Sequence, residues 1–190
     1  MAFLTRWYRA KKVRVGRACS VMIAAALLAS GVSLLAQPPP EYQVKAVFLF
    51  NLAQFVDWPP RAFPDPGSPL VIGVLGEDPF GSYLDETLRG ETVRNRPLVL
   101  QRYRRISEIK VCHVLFISRS ETSRLDQIFA ALRGRSVLTV GDADDFITRG
   151  GMIRLVTEKG KIRIRIHIDA VRGAGLMISS KLLRLAQPES

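Results

Sequence analysis

Apolar and polar positions along this chain follow two periods, and the switches between them mark out its elements. From Glu41 to Trp58 apolar side chains recur at helical spacing, at Val44, Val47, Phe48, Leu52, Phe55 and Val56. Lys45, Asn51, Gln54 and Asp57 supply the polar side of that predicted helix. Pro59-Pro60 ends it, because proline lacks the amide proton a helix interior needs, and Pro64, Pro66 and Gly67 prolong the break. The run Leu70-Val71-Ile72-Gly73-Val74-Leu75 is apolar at both parities, as expected of a strand buried on both faces, and ends at Gly76-Glu77-Asp78. Asp78 and Pro79 then read as the cap and first turn of a helix reaching about Leu88.

The same alternation continues. A short strand, Leu98-Val99-Leu100, precedes a basic linker, Arg102 to Arg105, and fully apolar strands follow at Val111–Ile117 and Ser136–Val140. Between them Ser120 or Thr122 caps a predicted helix that runs through Leu132 and stops at Gly134. A short segment around Phe146 comes next. The last third changes character. Met152–Thr157 and Lys161–Ile168 are joined by Glu158-Lys159-Gly160, which predicts a hairpin. In its second strand Ile162, Ile164, Ile166 and Ile168 alternate with Lys161, Arg163, Arg165 and His167, so one face meets the core and the other meets solvent. A final helix is predicted from Gly175 to Ala186, with a loose tail over 187–190. The fold class is α/β: a three-layer α/β/α sandwich whose mostly parallel sheet carries an antiparallel C-terminal hairpin.

Length and charge narrow this picture. The chain has 190 residues, enough for one domain with a substantial core, and its 47% hydrophobic and 24% charged composition is globular. The net charge of +11 is unevenly spread. Residues 1–36 carry Arg6, Arg9, Lys11, Lys12, Arg14 and Arg17 with no acid, which leaves 22 basic against 17 acidic residues elsewhere. That balance calls for no nucleic-acid partner. The basic stretch precedes an apolar run, Val21 to Ala29, and small residues at Ser30, Gly31, Ser33 and Ala36, the layout of a cleavable export signal. An uncleaved anchor over Ala18–Ala36 is the competing reading, although its serines and glycine dilute it and Pro38-Pro39-Pro40 follows as a spacer. Domain organisation is therefore a signal at 1–36, a spacer at 37–40, an α/β domain at 41–186 and a tail, with the mature protein placed in the periplasm.

Candidate chemistry is sparse. Cys19 leaves with the signal, so Cys112 stays unpaired in the mature chain and no internal disulfide is expected. One cysteine and two histidines, His113 and His167, show none of the spacings of a zinc site, and no cofactor fingerprint or nucleophile elbow occurs. No metal, cofactor or catalytic residue is expected. Ligands of open α/β sheets collect at the carboxyl ends of the parallel strands, where Asp78 and Asp142 lie, and Trp58 and Phe80 bracket the first strand. These four are the candidate pocket, although Asp78 equally serves as a cap, Asp142 as a turn residue and the aromatics as core. Cys112 and His113 are strand neighbours and should point to opposite faces, which rules against a dyad. The basic positions Arg163, Arg165 and His167 have two readings, an edge that discourages strand pairing and a docking surface for a partner.

The ordered segments resemble a known family. EYQVKAVFLFNLAQFVDWP (Glu41–Pro59), VIGVLGEDPFG (Val71–Gly81), CHVLFI (Cys112–Ile117), LTVGD (Leu138–Asp142), GGMI (Gly150–Ile153) and LMISSKLLRLA (Leu176–Ala186) are similar, in order and spacing, to YfiR-type periplasmic proteins. The resemblance implies a non-catalytic repressor that binds the extracytoplasmic sensor domain of an inner-membrane diguanylate cyclase. It also implies release by an outer-membrane lipoprotein or an envelope redox change, with sensor kinases as the other partner class. A homodimer is a further assembly that the sequence leaves open. Cys112 matches one of the family's cysteine positions, but the partner expected near Val71–Leu75 is absent, and Asp169 stands where the family has Asn. The alternative function is a periplasmic small-molecule binder using the strand-end pocket.

Overall fold

The structure, a computed structural model, describes residues 40–187. Residues 1–39, where the export signal and most of the spacer are expected, and residues 188–190 lie outside the described residues. Pro40, assigned to the spacer, is the first residue of helix α1 (Pro40–Phe55).

The facing of α1 corrects the sequence pattern. Periodicity turns Val44 and Val47 inward and Lys45 outward. Instead Lys45, Ala46, Leu49, Leu52 and Ala53 are buried, while Val44 and Val47 are 46% and 40% exposed. The helix is apolar around most of its circumference, so hydrophobicity ranks its faces only weakly. The small side chains of Ala46 and Ala53 lie on the packed face, and Lys45 finds a buried counter-ion there.

After α1 the chain runs through β1 (Val56–Asp57), β2 (Leu70–Leu75), α2 (Ser82–Leu88), β3 (Thr92–Val93) and β4 (Arg96–Tyr103). It continues through β5 (Val114–Ile117), α3 (Leu125–Leu132), β6 (Leu138–Gly141), β7 (Ile153–Glu158) and β8 (Lys161–Ile166). It closes with α4 (Ile168–Gly173), β9 (Met177–Ile178), α5 (Ser180–Leu185) and β10 (Ala186–Gln187). The main sheet has the order β10-β8-β7-β6-β5-β2-β4-β3. Strands β4, β2, β5, β6 and β7 are parallel, and β3–β4 and β7–β8 are antiparallel hairpins. The hairpin turn at Lys159-Gly160 has both φ values positive, the geometry that matches strand twist.

Every residue of β2, β5 and β6 is buried, as doubly apolar runs require. One face of the sheet packs Ile72, Val74, Val114, Phe116, Leu138 and Val140 against α1, α2, α4 and α5. The other packs Leu75, Leu115 and Ile117 against Leu125, Ile128 and Leu132 of α3. The α/β/α sandwich is therefore observed.

Several boundaries move. The helix expected from Pro79 starts at Ser82, after Asp78 Oδ1 accepts a 2.7 Å bond from the Phe80 amide in a local turn. Part of the basic linker belongs to β4, since Arg102 and Tyr103 pair with Val74 and Leu75. The final helix expected over 175–186 is shorter, since Met177–Ile178 forms β9 and pairs antiparallel with β1 and only Ser180–Leu185 is helical, while α4 begins earlier, at Ile168, which the pattern placed in the preceding strand. Gln187, assigned to the tail, pairs with Arg165 in β10.

Candidate functional site

The carboxyl ends of β2 and β6 hold a buried charge cluster. Asp142 follows β6 directly and is 1% exposed, and Lys45 of α1 is 0% exposed. Lys45 Nζ lies 2.6 Å from Asp142 Oδ2 and also pairs with Glu41 one turn earlier on α1. The Tyr42 hydroxyl donates to the same Asp142 oxygen at 2.8 Å. Asp142 Oδ1 accepts no well-aligned hydrogen bond and faces Arg119 Nε at 3.3 Å, while Arg119 Nη2 donates to the Asp142 carbonyl at 3.0 Å. Burial together with the Asp142 carboxylate pushes the Tyr42 phenol well above its ordinary range, so it stays a neutral donor. Two cations and a phenol thus converge on one carboxylate, an arrangement that neutralises it and leaves it little surface for a ligand.

The other members of the candidate pocket are dispersed. Phe80 is fully buried between Tyr42 and Phe116, edge-on to both rings. Asp78 turns outward to Arg102, which bridges it to Asp85, and the guanidinium of Arg102 holds the Asp85 carboxyl below its usual range. Trp58 stands at the opposite end of the sheet. Its indole donates to the His113 carbonyl at 3.2 Å and it borders a cavity of about 250 Å³ with Phe63, Arg94 and Arg96. The structure therefore groups Asp142 with Phe80 through Tyr42 and separates both from Trp58.

His113 closes that amino end. Its Nδ1 accepts from the Val71 amide at 3.0 Å and its Nε2 lies 3.1 Å from the Ala62 carbonyl, so the proton sits on Nε2. Phe63 stacks on the ring at 4.3 Å between centroids. Cys112 points to the opposite face among Leu115 and Tyr103, where burial pushes its thiol up to about 12. Burial pushes the His113 imidazole down to about 4. A depressed pKa means the unfolded chain binds the proton first, so the contribution of His113 is complete above its unfolded value near 6.5 and is lost as pH falls through about 4. The expected loss is about 3 kcal/mol between pH 7 and pH 4. Urea unfolding at both pH values, on the wild type and His113→Gln, checks this, and an equal loss in the variant would assign the slope elsewhere.

The third candidate is β8, which is not a free edge as its pattern suggested, because β10 pairs with it at Ile164 and Arg165. On β7 and β8 one parity, Ile153, Leu155, Ile164 and Ile166, faces the core, and the other places Arg154 opposite Arg165 and Val156 opposite Arg163. Like charges directly opposed repel. Arg154 turns to Asp144 and Arg165 to Glu158, at 3.0 Å for the latter. Arg154 Nε, Arg165 Nε and His167 Nδ1 are nonetheless screened from solvent without a hydrogen-bond partner. The strand's cationic set is thus placed together, and Arg154, which sequence reasoning passed over, joins it because strand register brings it across from Arg165.

Comparison with known proteins gives the context. The YfiR/HmsC-like family matches residues 42–187, nearly all of the described chain. The chain belongs to that family. No curated protein matches it. The YfiR/HmsC-like proteins are periplasmic and regulatory in character, linked to diguanylate cyclases. Among the described residues of this YfiR/HmsC-like domain no helix is long and apolar enough to cross a membrane. The residue that sequence reasoning misplaced most is Lys45, set on a solvent face although it anchors the strand-end cluster. The signal that it was special lay in its lone positive charge within an otherwise apolar helix.

Proposed function

We propose that this protein is a non-catalytic periplasmic regulator, exported by its residues 1–36, that binds the extracytoplasmic sensor domain of an inner-membrane diguanylate cyclase and holds it inactive. A sensor kinase is the other partner of the same kind, an outer-membrane lipoprotein is a route to release, and a homodimer is a further assembly. The observation that carries this reading is the family membership over residues 42–187. The strand face of Arg163, Arg165 and His167 is its docking surface, supported by the exposed Arg163 and by Arg165 Nε and His167 Nδ1, which have no hydrogen-bond partner. An acidic segment of the sensor pairs with the exposed Arg163 guanidinium and with Arg165 beside it. Repression needs only a difference in affinity between the sensor's inactive and active states, and a ten-fold difference corresponds to about 1.4 kcal/mol. The small-molecule alternative finds less support, because Asp142 and Phe80 are 1% and 0% exposed.

Affinity capture from detergent-solubilised, crosslinked envelopes tests the reading. The tagged protein is expected to recover an inner-membrane cyclase or sensor kinase, and Arg163→Glu with Arg165→Glu to reduce that recovery at least ten-fold. Undiminished capture by the variant would remove the docking surface. Recovery of no membrane sensor would remove the regulator.

A further inference from the structure

At the amino ends of β5 and β6, on the side of the sheet away from the Asp142 cluster, a cavity of about 340 Å³ is walled by Arg61, Lys110, Arg135 and Ser136 over a floor of Cys112 and Val137. No carboxylate lines it. Elsewhere several arginines are matched by carboxylates: Arg94 with Asp57, Arg102 with Asp78 and Asp85, Arg124 with Glu121, Arg149 with Asp126 and Asp145. Among the described residues the side chains of Arg61 and Lys110 have no hydrogen bond or ion pair, and the guanidinium of Arg135 reaches only the Lys110 carbonyl, at 3.0 Å.

Two pairs of these lining residues are neighbours. Arg61 Nη2 and Ser136 Oγ lie 3.0 and 3.9 Å from the position a methyl group on Gly175 would take, so the guanidinium tip and the hydroxyl are close together. The contact of Arg135 with the Lys110 backbone ties the two remaining walls together. The Cys112 thiol in the floor is buried and neutral, so nothing beneath offsets the charge. We infer that this cavity binds a small phosphorylated anion, with Arg61 and Arg135 gripping its oxygens, Lys110 adding a point charge and Ser136 a hydroxyl donor. Guanidinium forks match the oxygens of a phosphate, and a multiply charged group meets three cations better than one carboxylate does. The volume suits a small ligand and excludes a polymer. The phosphate belongs either to a free compound or to a lipid headgroup, and the inference is independent of the regulatory reading.

Titration calorimetry of the purified protein with inorganic pyrophosphate at low ionic strength is the test, with a sedimentation assay on vesicles containing phosphatidic acid as its second arm. Saturable binding is expected in at least one arm. Lys110→Glu with Arg135→Glu should weaken it at least ten-fold while leaving the urea midpoint of the ligand-free protein in place. Arg163→Glu with Arg165→Glu, on the distant strand face, should leave it unchanged. Binding to pyrophosphate assigns a free compound, and binding to vesicles alone assigns a headgroup. Absence of binding in both arms, or equal weakening by both pairs of substitutions, overturns the site. If the Lys110 and Arg135 pair shifts the urea midpoint, Lys110→Gln alone replaces it, and unchanged affinity in that variant counts against the site equally.

Discussion

Lys45→Met is expected to destabilise the domain by about 3–5 kcal/mol, the range for removing one partner of a buried ion pair. Asp142 would remain 1% exposed with its Oδ2 reduced to the Tyr42 hydroxyl, and with Arg119 the only cation left beside it. The cost is the stranded charge rather than the lost attraction, because two charges taken out of water are costly individually and tolerable together. It follows that Lys45→Met with Asp142→Leu should recover most of the loss. Chemical denaturation of the three variants reads the cycle directly. A single variant within about 1 kcal/mol of wild type would mean that Asp142 relaxes to solvent, and that the cluster does not hold α1 to the end of β6.

The second large effect centres on one ring. Phe146 is fully buried, edge-on to Phe129 at 5.4 Å, and its ring occupies the space that side chains at Gly141 and Gly151 would need. A methyl group at Gly141 would come within 2.9 Å of three ring atoms, and one at Gly151 would overlap the ring and lie 2.6 Å from the Phe146 carbonyl oxygen. Phe146→Ala is expected to cost about 3–5 kcal/mol, through lost burial and the cavity left behind. Gly151→Ala is expected to cost about 1–3 kcal/mol in the wild type by overpacking. In the Phe146→Ala background the same change should cost far less, since the atoms it meets are mostly gone. Thermal or urea unfolding of the four proteins measures that coupling. Strict additivity would show that the ring and the glycines do not share the contact.

Both effects concern features at the edge of what residue patterns express. Phe146 sits in a segment with neither period, and its role becomes visible only when β6 and the start of β7 are side by side and their glycines form a floor. Lys45 and Asp142 are 97 residues apart. Each alone has an ordinary explanation, a helix surface charge and a turn residue, and only their 2.6 Å approach makes them a pair. The cationic strand was more legible. Its period of two separates isoleucines from basic residues unambiguously, and the observed register keeps that separation. Arg154 joined the set only through cross-strand pairing, which no pattern within one strand encodes.

Local sequence by itself determined the parts of this protein whose cause is local. The doubly apolar runs at Leu70–Leu75, Val114–Ile117 and Leu138–Gly141 had to be interior strands, since no other placement buries both parities. Lys159-Gly160 had to turn, and strict alternation had to make a half-buried hairpin. The tertiary structure alone decided which face of α1 packs, whether Leu176–Ala186 is helical throughout or opens with a strand, and where Trp58 lies relative to Asp142. Those choices turn on small differences. An apolar helix can bury either face at similar cost, and Met177-Ile178 leaves the helical path because β1 offers backbone partners that exist only after the chain has folded. The burial of Lys45 is the extreme case: a charge that any local rule sends to water goes inside because one carboxylate, remote in sequence, is waiting there.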